Sequence, residues 1–181
     1  MVYVFLADGF EEIEALTPVD LLRRAGVEVK TVSIYPDRKE VKGARQIGVI
    51  ADTAIDSVSL LADDLMVLPG GMPGTVNLLE CKHLMDMLDE HNARKGRVAA
   101  ICAAPARILG SKGLLKGKEA TCYPGLENLL DGATHVIKTV VTDENITTSR
   151  GLGTAVDFAC ELITLLCGRE RSDEIRSSVV A

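Results

Sequence analysis

In the stretch Val98-Ala-Ala-Ile-Cys-Ala-Ala-Pro-Ala-Arg-Ile-Leu109, an apolar strand passes almost directly into a helix. The strand covers Val98–Ile101 and the helix begins at Ala103, so Cys102 is the only residue between them. A turn this tight brings the backbone close on both sides, and the alanines two residues before and after the cysteine leave room for that approach. The pattern predicts a nucleophile elbow, in which a strand-to-helix turn exposes a reactive side chain at the edge of a sheet.

Apolar runs of strand length alternate with helical patterns on both sides of this stretch. The other predicted strands are Val2–Ala7, Val27–Ile34, short strands within Val41–Ala51, Leu65–Leu68, and two near 135–142 and 146–149. The predicted helices are Glu11–Ala25, kinked at Pro18 and ended by Gly26, then about Thr75–Ala93, Ala103–Leu109, Thr154–Cys167 and a short charged C-terminal helix. Continuous apolar strands that alternate with helices indicate right-handed βαβ units. We therefore predict a single α/β domain over residues 1–181, a three-layer sandwich with a mostly parallel, doubly wound, flavodoxin-like sheet and helices on both faces.

Ligand sites of doubly wound sheets lie beyond the carboxyl ends of the strands. Three segments directly follow predicted strands: Asp8–Glu14, Pro69–Gly74 and Cys102–Pro105. We therefore expect these three segments to meet in one crevice.

The composition excludes a disordered protein and argues against some classes of binding partner. Of the 181 residues, 47% are apolar but only 3% are aromatic, so the core is aliphatic and a disordered chain is excluded. The net charge is −6 and no basic stripe is present, which argues against nucleic acid or an anionic membrane as the main partner. No segment is long and apolar enough to span a bilayer, and no basic region precedes the N-terminal apolar run, so we expect a cytosolic protein.

The cysteines and histidines show no pattern of a metal site or of a disulfide framework. The five cysteines are an odd number without Cys-x-x-Cys spacing, and none of the three histidines has metal-ligand spacing to another ligand type. Cys102 differs from the other four because it precedes a helix, whose N-terminus favours the thiolate. We expect it to be the most acidic thiol of the chain. The alternative is a buried core cysteine at a strand end.

Two further segments are candidates for the same site. Gly70 and Gly71 follow a buried strand and allow a backbone N–H to be aimed at an oxyanion, with the N–H of Ala103 as the second donor; the alternative is a simple glycine-rich turn. Glu11 and Glu12 are suited to the dipole of the first helix, whereas Glu14 lies on a different face from Glu12 and can point toward the crevice.

These motifs, taken together, resemble those of the DJ-1/ThiJ/PfpI superfamily, and the resemblance covers essentially the whole chain. The motifs that carry it are Asp8-Gly-Phe-Glu-Glu-Ile-Glu14 with Pro18-Val-Asp20 and Arg23-Arg-Ala-Gly26, Leu68-Pro-Gly-Gly71, Ala100-Ile-Cys-Ala-Ala-Pro105, and Thr148-Ser-Arg-Gly151 with Gly153-Thr154. Their order and spacing are specific to this superfamily, and the branch around DJ-1 matches most closely.

The resemblance implies roles for individual residues. Cys102 matches the reactive, oxidisable nucleophile of the family, and Glu14 matches the glutamate whose protonated carboxyl hydrogen-bonds the sulfur. Gly71 and Ala103 match the backbone amides that face the substrate or a sulfinate. A second set of residues is implied for the pocket or the subunit interface: Tyr123, Arg24 and Arg45. The resemblance also implies a homodimer without a cofactor or required metal.

Two positions depart from the family patterns. The protease-like branch carries a histidine directly after the nucleophile, where this chain has Ala103, so we do not expect peptidase activity. In the DJ-1 branch a histidine follows the next strand, where this chain has Tyr123, with the extra thiol of Cys122 beside it. We therefore do not expect a histidine general base.

Two functions remain open on the sequence. The first is a cofactor-independent cysteine enzyme acting on reactive aldehydes or on early glycation adducts of thiols and amines, as a glyoxalase or deglycase. The second is a non-catalytic redox sensor or stress-protective chaperone that works through oxidation of Cys102. A role in thiazole phosphate biosynthesis, attached to some relatives, has no support because the chain contains neither a phosphate-binding loop nor a basic pocket motif.

Overall fold

The computed structural model describes residues 1–181. Its strands are β1 (Val2–Leu6), β2 (Val29–Ser33), β3 (Glu40–Lys42), β4 (Gly48–Ile50), β5 (Thr53–Ala54), β6 (Leu65–Leu68), β7 (Arg97–Ile101), β8 (Glu119–Ala120), β9 (Thr134–His135), β10 (Val140–Asp143) and β11 (Ile146–Ser149). Its α-helices are α1 (Glu12–Arg24), α2 (Gly74–Glu80), α3 (Lys82–Ala93), α4 (Ala155–Cys167) and α5 (Arg169–Ser178), and a short π-helix covers Pro105–Gly110. No helix has the length and apolar character needed to cross a membrane.

The central sheet has seven strands in the order β10-β11-β7-β6-β1-β2-β5. Every neighbouring pair in it is parallel except β10 and β11. The chain starts at β1 and builds outward on both sides, so the strand order reverses beside β1. This topology confirms the predicted doubly wound α/β sheet and places the crevice of such folds at the carboxyl ends of β1, β6 and β7.

Helices cover both faces of the sheet. Alternate residues of β1 point to opposite sides, so Val2, Val4 and Leu6 join a core with α1, α4 and α5. Tyr3 and Phe5 join a second core with α2, α3 and the π-helix. Because both faces are covered, the strand is apolar throughout, which is why the sequence pattern identified it.

The structure differs from the sequence prediction in two helices. The long helix predicted over 75–93 is two helices, because Cys81 has an extended backbone, with φ −74° and ψ 95°. The break lets α2 contact the π-helix while α3 contacts β7, and both segments keep apolar residues toward the same core. In α1, by contrast, no break occurs at Pro18, and the buried face of this helix packs against α4.

Close approach of the backbone at Gly110 generates a stability prediction. A Cβ atom at this position would overlap the carbonyl oxygen of Leu129, which belongs to the loop beside the π-helix. We expect Gly110→Ala to lower the free energy of unfolding by about 1–3 kcal/mol, as is usual for overpacking. Urea denaturation followed by circular dichroism measures the change.

Gly153 provides the matched control, since a Cβ there meets no atom within 4 Å. Gly153→Ala is expected to change the free energy of unfolding by less than about 1 kcal/mol. Equal destabilisation by the two substitutions would contradict the packing described for the π-helix.

Candidate active site

The segments that follow β1, β6 and β7 meet at the carboxyl edge of the sheet. The N–H of Glu11 donates to the carbonyl oxygen of Gly70 at 2.9 Å, and the N–H of Gly74 donates to the carbonyl oxygen of Gly9 at 3.0 Å. A Cβ atom on Gly70 would lie 2.7 Å from Cβ and 3.1 Å from Sγ of Cys102. The three segments therefore form the crevice that the strand pattern predicts, and they pack so closely that only glycine fits at position 70.

Cys102 lies directly after the last residue of β7 in a left-handed backbone conformation, with φ +65°. Its N–H donates to the carbonyl oxygen of Ser149 at 2.9 Å, and its own carbonyl accepts the N–H of Tyr123 at 2.8 Å. A non-glycine residue in this region costs about 1–2 kcal/mol, and such strain concentrates at functional sites. The two hydrogen bonds, one to β11 and one to the loop after β8, hold the turn in place.

Glu14 is the buried acid of the crevice, with 1% of its surface exposed. Its Oε2 accepts the N–H of Gly70 at 3.0 Å, and its carboxyl shares a hydrogen bond with the thiol of Cys102. Burial, the largest cause, and the charge of Glu11 raise the pKa of Glu14 to about 7, against the lowering effect of the hydrogen bonds from Cys102 and Gly70. Glu14 can therefore both hold and release a proton near neutral pH.

The thiol of Cys102 differs from the sequence prediction. Burial, followed by the charge of Glu14, raises the pKa of this thiol, although the N–H groups of Ala103 and Gly71 act in the opposite direction. We expected Cys102 to be the most acidic of the five thiols. Because its pKa is raised, this expectation is wrong. The sequence shows the helix start, which favours a thiolate, but not the burial, which opposes it.

The backbone N–H groups of Gly71 and Ala103 lower the pKa of the Cys102 thiol, because they interact favourably with the charged sulfur. Gly71 has φ +97°, and a Cβ there would overlap the backbone of Gly9 and Glu11. A glycine is therefore required for this amide to be presented to the crevice. Both amides predicted as oxyanion donors act on Cys102, and their role as oxyanion donors stays a prediction.

A pocket of about 500 Å³ opens above the sulfur. Besides Cys102, Glu14, Gly71 and Ala103, its lining contains Glu11, Arg45, Met72, Arg107, Tyr123, Pro124, Gly125, Leu126 and Leu152. Arg45 and Tyr123 are thus pocket residues, as the resemblance implies. No group of three or more His, Cys, Asp and Glu side chains is arranged to hold a metal ion.

Arg24 does not reach this pocket within the chain, contrary to its assignment as a possible pocket residue. It is exposed and pairs with Asp20 at 2.8 Å. Glu14 and Arg24 lie at opposite ends of α1, ten residues or about 15 Å apart along the helix axis. The length of the helix separates the two residues.

The sequence analysis did not identify two residues beside Cys102 and Glu14, namely Gly151 and Leu152. A Cβ on Gly151 would lie 3.8 Å from Sγ of Cys102 and from Oε1 of Glu14, and the N–H of Leu152 hydrogen-bonds Glu14. Both follow β11, the neighbour of β7, so the rule that sites lie after strand ends points to them as well. Glu12 does more than interact with the dipole of the first helix. It is buried, and its Oε1 accepts the N–H of Arg45 at 2.6 Å.

The fold and the site define a class: a flavodoxin-like α/β protein whose pocket is built around a half-buried cysteine and a buried glutamate. The model of the DJ-1/PfpI family matches residues 1–165, and the chain belongs to this family. Protein dj-1beta of Drosophila melanogaster is 38% identical over 179 residues, which cover 98% of this chain and 95% of that protein. Protein DJ-1 homolog B of Arabidopsis thaliana is 39% identical over 99% of this chain, which spans only 41% of that longer relative.

Two further comparisons concern a named activity and a solved structure. The glutathione-independent glyoxalase DJR-1.2 of Caenorhabditis elegans is 29% identical over 166 residues, which cover 91% of this chain and 87% of that protein. The structure of oxidized Toxoplasma gondii DJ-1 superposes with a TM-score of 0.93 at 35% identity, covering 99% of this chain and 97% of that one. The identity and coverage confirm the family and the fold.

The raised pKa of Glu14 predicts a pH-dependent gain in stability on Glu14→Gln. The folded pKa of about 7 lies above the ordinary value of 4.5, so folding favours the protonated acid and the charged form is penalised as pH rises from about 4.5 to 7. At pH 8 the wild type carries the full penalty, whereas at pH 4.5 it carries little. We expect the stability gained on Glu14→Gln to be larger at pH 8 than at pH 4.5 by about 2–3 kcal/mol, measured by urea denaturation at both pH values.

Glu90→Gln on the exposed side of α3 is the control, and its effect should not vary with pH by more than about 0.5 kcal/mol. A Glu14→Gln effect that is the same at pH 4.5 and pH 8 would mean that Glu14 titrates normally.

Proposed function

We propose that this protein is a cofactor-independent cysteine enzyme of the glyoxalase or deglycase type, acting in the cytosol on reactive aldehydes and early glycation adducts. For methylglyoxal the overall reaction is the addition of water and an internal redox isomerisation to lactate. The observation that supports this function best is the buried Glu14, whose pKa is raised to about 7 and whose carboxyl contacts the thiol of Cys102. The glyoxalase activity named for the Caenorhabditis relative agrees with it.

The first step forms the bond between sulfur and the aldehyde carbon. The thiol of Cys102 has a raised pKa, so it needs an adjacent base to become nucleophilic. The carboxylate of Glu14 accepts the thiol proton as the sulfur attacks, and the C=O electron pair moves to oxygen. The N–H groups of Gly71 and Ala103 stabilise the resulting oxyanion, which then takes the proton from Glu14 to give the hemithioacetal and restores the carboxylate.

The second step moves a proton between the two substrate carbons. Glu14 removes the proton of the former aldehyde carbon to give an enediolate, and returns it to the neighbouring carbon. The hydroxyl on the former aldehyde carbon passes its proton to the other oxygen. The product is a thioester of lactate, in which the first carbon has been oxidised and the second reduced. Water then cleaves the thioester and restores the thiol, with Glu14 as the base. No histidine lines the pocket, so the proposal assigns all proton transfers to Glu14 and no peptidase activity to the protein.

Turnover of methylglyoxal should separate the roles of the two residues. Cys102→Ser is expected to abolish lactate formation, because the hydroxyl is a much weaker nucleophile. Glu14→Gln keeps the size of the side chain but cannot transfer a proton, so kcat should fall about 10²–10⁴-fold. The same variant removes the negative charge that raises the thiol pKa, so iodoacetamide should alkylate Cys102 no more slowly than in the wild type.

Alkylation of the exposed Cys167, measured peptide by peptide in the same samples, controls for reagent and unfolding. Equal lactate formation by the wild type and Cys102→Ser would remove the enzymatic proposal. Loss of both turnover and alkylation in Glu14→Gln would mean that Glu14 is needed to keep the thiol reactive, and would contradict the expectation that its charge suppresses the thiolate.

The redox-sensor function is the alternative, and the two amides at the sulfur favour it as well. Oxygen atoms of a sulfinate on Cys102 would accept the N–H groups of Gly71 and Ala103. A wild type without turnover, in which mild peroxide adds oxygen to Cys102 selectively, would favour this function over the enzyme.

We also propose a homodimer that uses α1 and the hairpin of β3 and β4. The backbone N–H of Arg45 bonds Glu12, which ties the hairpin to the helix. Three isoleucines on these elements are exposed: Ile13 by 47%, Ile47 by 54% and Ile50 by 79%. Apolar side chains grouped on adjoining elements are characteristic of an interaction surface.

Light scattering at micromolar concentration should give the mass of a dimer. Ile13→Glu places a charge on the proposed interface and should shift the mass toward that of a monomer. Ile137→Glu, at a residue that is 77% exposed elsewhere on the protein, is the control and should leave the dimer intact. A wild type that is only monomeric would refute the proposed interface.

A further inference from the structure

Arg107 is a pocket residue without a partner in the chain. It lies on the π-helix and lines the pocket above Cys102. Its guanidinium forms no ion pair and no hydrogen bond with the protein, although Arg23, Arg38 and Arg176 each pair with an aspartate. A guanidinium presents five donors suited to a carboxylate or phosphate, so an unpaired one in a pocket is available to a ligand.

The other charged groups of the pocket leave Arg107 free to bind an anion. Glu11 is engaged in α1, since its Oε2 accepts the N–H of Glu14 at 2.8 Å. Glu14 faces the sulfur of Cys102 and Gly70, and its raised pKa leaves it partly protonated at neutral pH. Arg45 adds a second positive charge to the lining. Two cations, Arg45 and Arg107, therefore line the pocket, and neither forms an ion pair with an acid of the pocket.

The position of Arg107 relative to Cys102 is set by the backbone. The N–H of Arg107 donates to the carbonyl oxygen of Ala103 at 2.9 Å, an i→i−4 bond that links the start of the π-helix to the residue after the cysteine. π-Helical turns are rare and occur often at functional sites. Arg107 also lines a second groove of about 520 Å³ between α2 and the π-helix, so its side chain lies where the two cavities adjoin. Arg107 and Cys102 thus line the same pocket, with Arg107 at the side that adjoins the second groove.

We propose that Arg107 binds the anionic group of the substrate, so that the Cys102 pocket selects aldehydes that carry a carboxylate or a phosphate over neutral aldehydes of the same size. This inference rests on the proposed function, and it names the substrate class of the same site. The reactive carbon lies at Cys102 and the anion at Arg107. Arg107 is a specificity-determining residue, whereas Cys102 and Glu14 carry out the reaction.

A pair of alkylating reagents tests anion selection without any need for turnover. Iodoacetate and iodoacetamide have nearly the same size and react with the same thiol, but only iodoacetate is charged. We expect the ratio of their rates at Cys102 to fall about 10-fold in Arg107→Gln, because a charge-assisted hydrogen bond is lost. Arg107→Lys, which keeps the charge, should retain most of the ratio, and added salt should reduce it in the wild type.

Arg97→Gln is the matched control, since Arg97 is exposed at the start of β7 and the substitution removes the same charge. It should leave the ratio unchanged, as should measurement at Cys167 in every variant. A ratio in Arg107→Gln equal to that of the wild type would overturn the inference.

Turnover of matched substrates gives the second measurement. 4,5-Dioxopentanoate carries a carboxylate and its methyl ester does not, so their relative kcat/KM reports selection of the anion. The ratio of acid to ester should exceed unity in the wild type and fall about 10-fold or more in Arg107→Gln. The phosphate ester of hydroxypyruvaldehyde, compared with hydroxypyruvaldehyde itself, shows whether phosphate serves as well as carboxylate.

The outcomes separate this inference from the function on which it rests. A wild type that converts methylglyoxal but uses the acid and the ester equally well would overturn the role of Arg107 and leave the enzyme in place. A wild type that converts none of the oxoaldehydes would refute the enzyme, and the alkylation ratio would still decide whether Arg107 selects anions.

Discussion

The contact between the carboxyl of Glu14 and the thiol of Cys102 joins a buried acid to a half-buried thiol at the floor of the pocket. The charge of Glu14 disfavours the thiolate, and burial disfavours both charges, while the hydrogen bond from the thiol offsets only part of the effect of burial on Glu14, so the pair retains a proton at neutral pH. The surrounding structure holds the two side chains together. Gly70 leaves the space in which they meet, and its N–H binds the oxygen of Glu14. The ends of β1, β6 and β7 bring all three residues to one edge of the sheet.

Most of the fold was predictable because its determinants are local. The strands that the sheet buries on both faces are continuous apolar runs, and the alternation with helices fixes a parallel, doubly wound topology. The turn at Cys102 was visible because small residues flank a single residue between strand and helix. The break at Cys81 was not visible, because α2 and α3 both carry apolar residues toward the same core and the periodicity continues across it. That break depends on how each helix meets its tertiary neighbours.

The site was predictable where a residue follows a strand and is small or acidic, as with Gly71 and Glu14. The ionisation of Cys102 was not, because a helix start is local in sequence whereas burial by Gly70, Glu14 and Tyr123 depends on the assembled fold. Arg107 was missed for a similar reason. An arginine on a helix is ordinarily a solvated residue, and only the lining of the assembled pocket, together with the lack of an ion-pair partner, distinguishes Arg107 from the other arginines on helices, which pair with acids.

The same burial that costs stability makes the pair suitable for proton transfer. A carboxylate in water has a pKa too low to accept a thiol proton readily, whereas Glu14, with a pKa raised to about 7, is close to the value at which a general base works best at neutral pH. The thiol does not need to be ionised in advance if its proton has an acceptor in contact with it. The left-handed backbone of Cys102 then places the sulfur between this acceptor and the two amides. Strain at the Cys102 turn and burial of Glu14 both lower the stability of the fold. Together they hold base, nucleophile and oxyanion donors in place before a substrate enters.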